Sequence, residues 1–352
     1  MIGLTVNGIL LAIVLIIIVV LIIIFVTGKR EQLPIEKEFF KLGTINHLRV
    51  YGKKAQKAVD KAAERVAEIE DKMSVFKEFS EVSRINKNAG GDFQRVSSDT
   101  YFIMKKSFEY SNLSKGAFDP TIRPIVALWG IGTKQTRVPS DNEIKDKLKL
   151  VNYRNIILDE DKNAVKLKDK NQHLDVGAIA KGYAADEVRR IFQEHKIKSA
   201  MIDLGGNIFA YGRKLNGEPW NIGIQNPLSS RGAFVGMISV VNKSIVTSGN
   251  YERYFTDHGK RYHHIMDPRT GYPCENGIIS CTVISDNSID GDALTTCGYV
   301  MGLKEGYKLI ESIEGVDAIF VTEDKKVYVT SGIKENFKLL DKEFSIGQDE
   351  MF

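Results

Sequence analysis

Residues 173–182 read HLDVGAIAKG and place a carboxylate, a turn of small residues and a lysine where an expected strand leads into a helix. Small residues allow a backbone to approach a polar ligand, and the N-terminus of a helix favours anions. Lys181 adds a positive point charge at the same place. The segment indicates a site for an anionic group, although an ordinary connection with an exposed lysine has the same local pattern.

The elements around this segment mix helices and strands without strict alternation. The helices are located by apolar residues at helical spacing and by serine N-caps. The strands are located by extended runs between turn residues. Helices are expected at 53–73, 98–114, from Ser140 onwards and at 180–191, and strands at 155–158, 164–167, 201–204, 234–241, 278–284, 318–322 and 327–330. This order favours the α+β class, with one large mixed α/β domain over residues 29–352.

An apolar run from Ile9 to Val26 is long enough to approach the thickness of a bilayer core. Its flanks lack the basic start and the small-residue cleavage site of a cleaved signal peptide. The sequence therefore predicts an uncleaved, single-pass membrane anchor within residues 1–28. Lys29 and Arg30 follow the run, and the positive-inside rule makes them favour a cytoplasmic body.

Composition narrows the class of protein. The net charge of +4 is too small to indicate a nucleic-acid partner. Cys274, Cys281 and Cys297 are odd in number and lack metal-type spacing, so we expect small buried residues and no disulfide framework.

Three further segments bring polar or aromatic side chains to expected turns. Residues 117–121, AFDPT, combine an Asp-Pro turn with an aromatic ring, and Trp129 follows. These aromatics either stack on a flat ligand or fill a corner of the core. Residues 202–207, IDLGGN, read as a strand that ends in a tight turn. His263 and His264 are adjacent on an expected strand, so they face opposite sides and at most one of them enters a given site.

Residues 290–296, DGDALTT, are expected to open a helix. Asp292 and Thr296 are then four residues apart and share one face. A carboxylate and a hydroxyl are hard oxygen ligands, which suit Mg²⁺ and are poor ligands for Zn²⁺. An N-capping aspartate with an ordinary helix threonine gives the same spacing.

Together these segments resemble the FAD:protein FMN transferases, the ApbE family. The resemblance extends from about Leu42 to Thr330, and FSEVSRIN at 79–86 is similar to an early family segment. The family commonly has Met-Gly-Thr where this chain has Leu42-Gly43-Thr44, and leucine is expected to keep the apolar contact with the flavin. The ordered segments are AFDPTIRPIVALWG, LDVGAIAKGYAADEV, IDLGGNIFAYG, TSGNYERYF, YHHIMDPRTGYP and DALTTCGYVMG.

The resemblance implies an activity and a set of site residues. The family moves the FMN half of FAD onto a threonine hydroxyl of a target protein with Mg²⁺ and releases AMP, so FAD is a substrate. By resemblance, Asp292, Thr296 and the carbonyl of Ala178 hold the metal, Lys181 holds a phosphate, and His264 is the candidate general base. The positions expected near FAD are Leu42, Ala117, Phe118, Asp119, Asp175, Lys181 and Ile265, with Trp129 a weaker candidate.

Two alternative functions remain at this point. In an FAD pyrophosphatase, water replaces the threonine at the same metal site. A non-catalytic flavin-binding protein would lack the metal pair or His264, and all three residues are present. The family's acceptors include membrane redox subunits and extracytoplasmic electron-transfer proteins. The resemblance thus favours an extracytoplasmic, membrane-anchored body, against the weak indication of Lys29 and Arg30.

Overall fold

The computed structural model describes residues 8, 11–20 and 33–348. The chain divides into an N-terminal unit, Met1–Pro34, and a body that begins at Ile35. Residues 11–20 of the expected anchor are helical with exposed side chains. Residues 9–10 and 21–26 of that anchor lie outside the described residues. Among the described residues, no helix combines the length and the apolar character needed to cross a membrane.

The body contains helices and strands in mixed order. The helices are α1 (Ala55–Met73), α2 (Glu81–Lys87), α3 (Ser98–Leu113), α4 (Arg123–Trp129), α5 (Asp141–Leu148), α6 (Ala180–Glu194), α7 (Ser288–Met301) and α8 (Leu303–Glu311). The strands are β1 (Ile35–Lys41), β2 (Thr44–Tyr51), β3 (Gln94–Arg95), β4 (Ile156–Asp159), β5 (Ala164–Leu167), β6 (Ser199–Leu204), β7 (Asn207–Gly212), β8 (Trp220–Gln225), β9 (Phe234–Val240), β10 (Lys243–Gly249), β11 (Tyr254–Asp257), β12 (Lys260–His263), β13 (Ile278–Ser285), β14 (Asp317–Thr322), β15 (Lys326–Val329), β16 (Phe337–Leu339) and β17 (Ser345–Ile346).

A nine-stranded sheet in the described body has the order β1-β2-β6-β7-β10-β13-β14-β15-β17. Its neighbouring strands are antiparallel except for the parallel pair β15–β17. Smaller sheets have the orders β16-β9-β8 and β3-β5-β4, and β11 pairs with β12 as a hairpin. Antiparallel pairing with helices inserted between hairpins is the mixed α/β architecture that the sequence predicts.

The core lies on both faces of the large sheet. Helices α1, α6 and α7 cover one face, and β8 and β9 cover part of the other. Strand β13 is buried along its whole length, with Cys281 and Val283 towards the helices and Ile284 towards the small sheet. Its continuous apolar run therefore reflects burial on both faces. All three cysteines are free and buried, which confirms the expectation from their number and spacing.

Most expected elements are present, with small differences at their ends. Ser140 caps α5 through a capping box with Glu143, whereas α3 is capped by Ser97, one residue before the expected Ser98. Helix α7 begins at Ser288, two residues before the expected start. The strand expected before α6 is wrong: within the described body, His173 makes only an isolated bridge to Ile122.

Candidate active site

Helices α6 and α7 cross at Gly182, and this crossing fixes the centre of the site. A Cβ at this position would lie 2.3 Å from the carbonyl oxygen of Ser288 and 2.7 Å from the Cβ of Asp292. The Gly182 N–H donates to Oδ2 of Asp292 at 2.8 Å. The glycine that the sequence suggested for close approach of a ligand therefore serves a helix contact, which brings Asp292 to the N-terminus of α6.

Asp292 is buried and faces a cation. The residue is only 4% exposed, and the Oδ1 atom of its carboxylate lies 3.6 Å from Nζ of Lys181. Lys181 also donates to the carbonyl of Gly177 at 3.3 Å. The anion at this helix N-terminus is thus the Asp292 carboxylate itself, stabilised by a backbone N–H and by an ammonium group.

Thr296 lies one turn after Asp292 and is half-buried, as the expected shared face requires. Its neighbour Thr295 is fully buried, and the Thr295 hydroxyl donates to the Asp292 carbonyl at 2.8 Å and accepts from Ser248 at 2.9 Å. Ala178 is half-buried in the turn before α6. The Asp292 carboxylate, the Thr296 hydroxyl and the Ala178 carbonyl are hard oxygen donors of the kind that suit Mg²⁺. Among the described residues there is no group of three or more His, Cys, Asp or Glu side chains that could hold a metal.

Asp175 is held in a tight turn ahead of α6. Its N–H donates to the carbonyl of Pro120 at 2.7 Å, and its Oδ1 accepts from the N–H of Gly177 at 2.9 Å. Arg123 approaches Oδ2 at 3.3 Å. Asn86 holds the backbone of the preceding residue, Leu174, through two hydrogen bonds. Its side chain accepts from the Leu174 N–H at 2.6 Å and donates to the Leu174 carbonyl at 3.0 Å. The segment FSEVSRIN thus positions the turn that carries Asp175.

Asp119 holds the AFDPT turn together. Its Oδ1 accepts from the N–H and the hydroxyl of Thr121 at 2.8 and 2.6 Å, and its Oδ2 accepts from the N–H of Tyr153 at 2.9 Å. Burial raises the pKa of this carboxyl. Ala117 and Phe118 are also buried. The role of these three residues in contacting FAD remains a prediction, and the Asp119 carboxylate already has partners within the turn.

Trp129 fills a corner of the core. It is fully buried, and its Nε1–H donates to the carbonyl of Gly271 at 2.8 Å. Its ring packs against Phe255, Tyr262 and Tyr272 at centroid distances of 6.5, 5.3 and 5.8 Å. Of the two interpretations of this aromatic segment, the core corner is the one that the structure supports for Trp129.

The two adjacent histidines differ in burial and in hydrogen-bond partners. His263 is buried, with its Nε2 2.9 Å from the carbonyl of Cys274 and its Nδ1 accepting from the N–H of Ile265. His264 follows the end of β12 and is half-buried, with its Nδ1 3.2 Å from the carbonyl of Arg253. A carbonyl only accepts, so this contact assigns the proton of His264 to Nδ1 and leaves the Nε2 lone pair available.

Burial lowers the pKa of His264 to about 4, and the positive charges of Arg253 and Lys181 act in the same direction. The imidazole is therefore neutral near pH 7, which a general base requires.

Arg253 connects His264 to the turn between β1 and β2. Its guanidinium donates from Nη2 to the carbonyl of Gly43 at 3.2 Å. Leu42 and Gly43 both have positive φ, 55° and 69°, and the Leu42 N–H donates to Oε1 of Glu70 at 2.7 Å. A leucine in the left-handed region costs about 1–2 kcal/mol. The turn holds Leu42, expected near the flavin, in a strained conformation of the kind that clusters at functional sites.

Sequence reasoning missed the positioning residues Asn86 and Arg253, and it gave Gly182 a different role. Each of the three acts through a partner that is distant in the sequence. Gly182 and Asp292, for example, are 110 residues apart. For Asn86 and Arg253, the available signal was their presence in the segments FSEVSRIN and TSGNYERYF, without an assigned role.

Comparisons with known proteins identify the family and the fold. The ApbE family model matches residues 42–320. An FAD:protein FMN transferase of Klebsiella pneumoniae (strain 342) is 38% identical over 79% of this chain and 86% of that protein. One of Treponema pallidum (strain Nichols) is 34% identical over 86% of this chain and 88% of that protein. The crystal structure of the ApbE protein of Thermotoga maritima matches with a TM-score of 0.80 at 32% identity, covering 86% of this chain and 99% of that chain. The flavin transferase ApbE of Vibrio cholerae matches with a TM-score of 0.78 at 26% identity, covering 87% and 99%.

Proposed function

Because the chain belongs to the ApbE family, we propose that it transfers the FMN half of FAD to an acceptor protein. Two observations carry the proposal: the contact of the His264 Nδ1 with the Arg253 carbonyl, which leaves Nε2 available, and the pairing of Lys181 with the buried Asp292 at the crossing of α6 and α7. A phosphoryl transfer needs a base for the attacking hydroxyl and a cation for the phosphates. His264 supplies the base, and Lys181 supplies the cation.

The carboxylate of Asp292, the hydroxyl of Thr296 and the carbonyl of Ala178 are the groups that would hold Mg²⁺. When bound, the ion neutralises charge on the phosphates during transfer. The buried carboxylate supports this assignment, because Asp292 is stabilised here by a backbone N–H and faces an ammonium group. Lys181, whose ammonium group lies beside Asp292 at the N-terminus of α6, would hold a phosphate oxygen of FAD.

His264 accepts the proton of the acceptor threonine at Nε2. The threonine oxygen forms a bond to the phosphorus of the FMN half, the bond between that phosphorus and the bridging oxygen breaks, and AMP leaves with the bridging oxygen. The Nδ1–H of His264 stays hydrogen-bonded to the carbonyl of Arg253, which keeps the imidazole oriented while it carries the added proton.

The remaining predicted positions are proposed to bind FAD. Leu42 is half-buried in its strained turn, Ile265 is buried directly after His264, and Asp175 is half-buried beside Arg123. The AFDPT turn supplies Ala117, Phe118 and Asp119 and contacts the Asp175 segment through the carbonyl of Pro120.

We further propose that residues 9–26 tether the body to a membrane, with the body on the extracytoplasmic side. The length of the apolar run supports the tether, as do the exposed apolar side chains of residues 11–20. The side follows from the family resemblance, against two positive charges that bias insertion only weakly.

The test of the transferase activity is a protein-bound flavin that survives denaturation. The full-length protein is incubated with FAD, Mg²⁺ and a threonine-containing acceptor domain, and the denatured products are separated and examined for flavin fluorescence. We expect a fluorescent acceptor band that is absent with EDTA. Release of free FMN and AMP without a labelled acceptor would instead identify an FAD pyrophosphatase.

A further inference from the structure

Helix α7 begins without a cap from its own N-terminal residue. The first N–H groups of a helix have no partner within the helix, and the residue before the helix commonly supplies one. The residue before α7 is Asn287, and its side chain makes no capping hydrogen bond. Its Nδ2 donates to Asp290 at 3.1 Å, and its Oδ1 accepts from Arg189 at 2.9 Å. The first N–H groups of α7 therefore need partners from another part of the fold.

Asp186 on α6 supplies these partners. Its Oδ1 accepts from the Ser288 N–H and its Oδ2 accepts from the Ile289 N–H, each at 2.9 Å. The side chain of Asp186 is only 15% exposed. A carboxylate at a helix N-terminus also interacts favourably with the helix dipole. One side chain of α6 thus caps α7 at two successive positions.

This cap belongs to a row of contacts along one face of α6, formed by residues 182, 186 and 189. Gly182 donates to Asp292, Asp186 accepts from the start of α7, and Arg189 donates from Nη1 to the carbonyl of Asp286 at 2.6 Å. The partners run backwards along the chain as α6 runs forwards. The cap and the bond to Asp292 are therefore about one turn apart on both helices.

We propose that Asp186 is a positioning residue of the site, which fixes where α7 begins and thereby holds the Asp292 carboxylate at the N-terminus of α6. This inference rests on the proposed function, in which Asp292 holds Mg²⁺. A slip of α7 by one residue would move Asp292 by about 1.5 Å along the helix axis and turn it by about 100°. Either displacement would break the hydrogen bond from Gly182 to Asp292.

The amide of Gly182 reports on this geometry without any metal. Gly182 lies in the first turn of α6, where backbone N–H groups lack a partner within the helix. Its partner is Oδ2 of Asp292. Hydrogen exchange at this one amide in the metal-free protein therefore measures how firmly the Asp292 carboxylate is held.

The test compares three variants of the full-length protein. Asp186→Ala removes the cap, and Asp186→Asn keeps the shape of the side chain and one acceptor oxygen. Glu187→Gln is the matched control, because this neighbouring carboxylate bonds to Arg65 of α1 and to Arg190. For each variant we measure Gly182 exchange without metal, stability in urea, and the dissociation constant of Mn²⁺. Mn²⁺ is the probe for the metal site and is followed by electron paramagnetic resonance with FAD present.

We expect Asp186→Ala to exchange faster at Gly182 and to bind Mn²⁺ about tenfold more weakly, the lower end of the range for losing a group that orients a metal ligand. Asp186→Asn should change both quantities in the same direction and by less, and it serves as the test if the alanine variant does not fold. Glu187→Gln should lose stability in urea, with the Gly182 exchange and the Mn²⁺ constant of the original protein.

Two results would overturn the proposal. An unchanged Mn²⁺ constant in Asp186→Ala would show that Asp292 keeps its place without the cap. Equal changes in Asp186→Ala and Glu187→Gln at equal loss of stability would show that the cap only stabilises the fold. If the original protein binds no Mn²⁺, the metal assignment of the proposed function fails. The exchange of Gly182 then decides the positioning role by itself, and an unchanged rate in Asp186→Ala would reject that role as well.

Discussion

At the residue scale, neighbouring side chains of the same type have different environments. His263 donates and accepts within the core, whereas His264 keeps one nitrogen for the site. The same contrast holds for Thr295, whose hydroxyl is fully used, and Thr296, which is half-buried on the Asp292 face. Periodicity predicts that the two members of each pair have different surroundings, and the family resemblance selects His264 and Thr296 as the members that face the site.

Replacing His264 with alanine should lower transfer by about 10²–10⁴-fold, the usual range for the loss of a general base. FAD should still bind, because the imidazole acts on the acceptor hydroxyl. His263→Ala should lower transfer much less once the folded fraction is corrected by thermal denaturation. An equal loss of transfer in both variants would show that the strand, and not a specific base, had been disturbed.

The pH dependence of transfer should reflect the lowered pKa of His264. The value of about 4 lies below the ordinary value for histidine, so the neutral, basic form persists as the pH falls from 7 to 5. We expect kcat/KM for the acceptor to rise as the pH rises through about 4 and to remain level above that limb. An acid limb near pH 6.5 would mean that His264 titrates like an exposed histidine.

Asp292→Ala should abolish transfer, mainly through turnover, because charge on the phosphates would no longer be neutralised by a bound cation. Asp290→Asn is the matched control on the same helix, because the Asp290 carboxylate accepts hydrogen bonds from Tyr110 and Asn287. The rate of FMN transfer is measured for both variants with added Mg²⁺. Near-normal activity of Asp292→Ala would refute the metal assignment.

At the scale of elements, the close crossing of α6 and α7 determines the geometry of the site. Gly182→Ala should move α7 away, because the new Cβ would lie 2.3 Å from the carbonyl oxygen of Ser288. We expect a loss of about 1–3 kcal/mol in the free energy of unfolding, as for other overpacked sites. Transfer should fall as well, because the hydrogen bond from Gly182 to Asp292 is disturbed.

Helix propensity gives the opposite sign at this position. Alanine in place of glycine within a helix stabilises by about 1 kcal/mol where space allows. Urea denaturation of the Gly182→Ala variant therefore separates the two effects directly. An increase in stability with unchanged transfer would show that the two helices are not in tight contact there.

Local sequence patterns predict some of these helices and strands and not others. Helices α1, α5 and α6 and the hairpin of β4 and β5 follow from periodicity, caps and turn residues. The order of strands in the large sheet does not, because β2 pairs with β6 across the intervening helices. The segment before α6 was wrongly expected to be a strand, since its backbone is held by Asn86 and Pro120, partners that local patterns do not reveal.

At the scale of the whole molecule, the site joins parts from both ends of the body. The β1–β2 turn reaches Arg253, α6 reaches α7, and Asn86 reaches the turn that carries Asp175. The residue types of the candidate site could be predicted from the sequence through the family resemblance. Their mutual contacts required the folded chain.

The proposed location of the body is tested with external protease on intact cells or spheroplasts. An extracytoplasmic body tethered by residues 9–26 should be degraded without permeabilising the membrane, and it should remain in the membrane fraction beforehand. A cytoplasmic marker protein serves as the control for intact membranes. Protection of the body until the membrane is opened would place it inside.

The central claim is covalent transfer of FMN to a threonine, and mass spectrometry of the acceptor tests it most directly. After incubation with FAD and Mg²⁺, we expect the acceptor to gain the mass of an FMN phosphoester, fragment spectra to place it on one threonine, and AMP to form in equal amount. Threonine→Ala in the acceptor and Asp292→Ala in the protein should each remove the added mass. AMP formation with an unmodified acceptor would contradict the account.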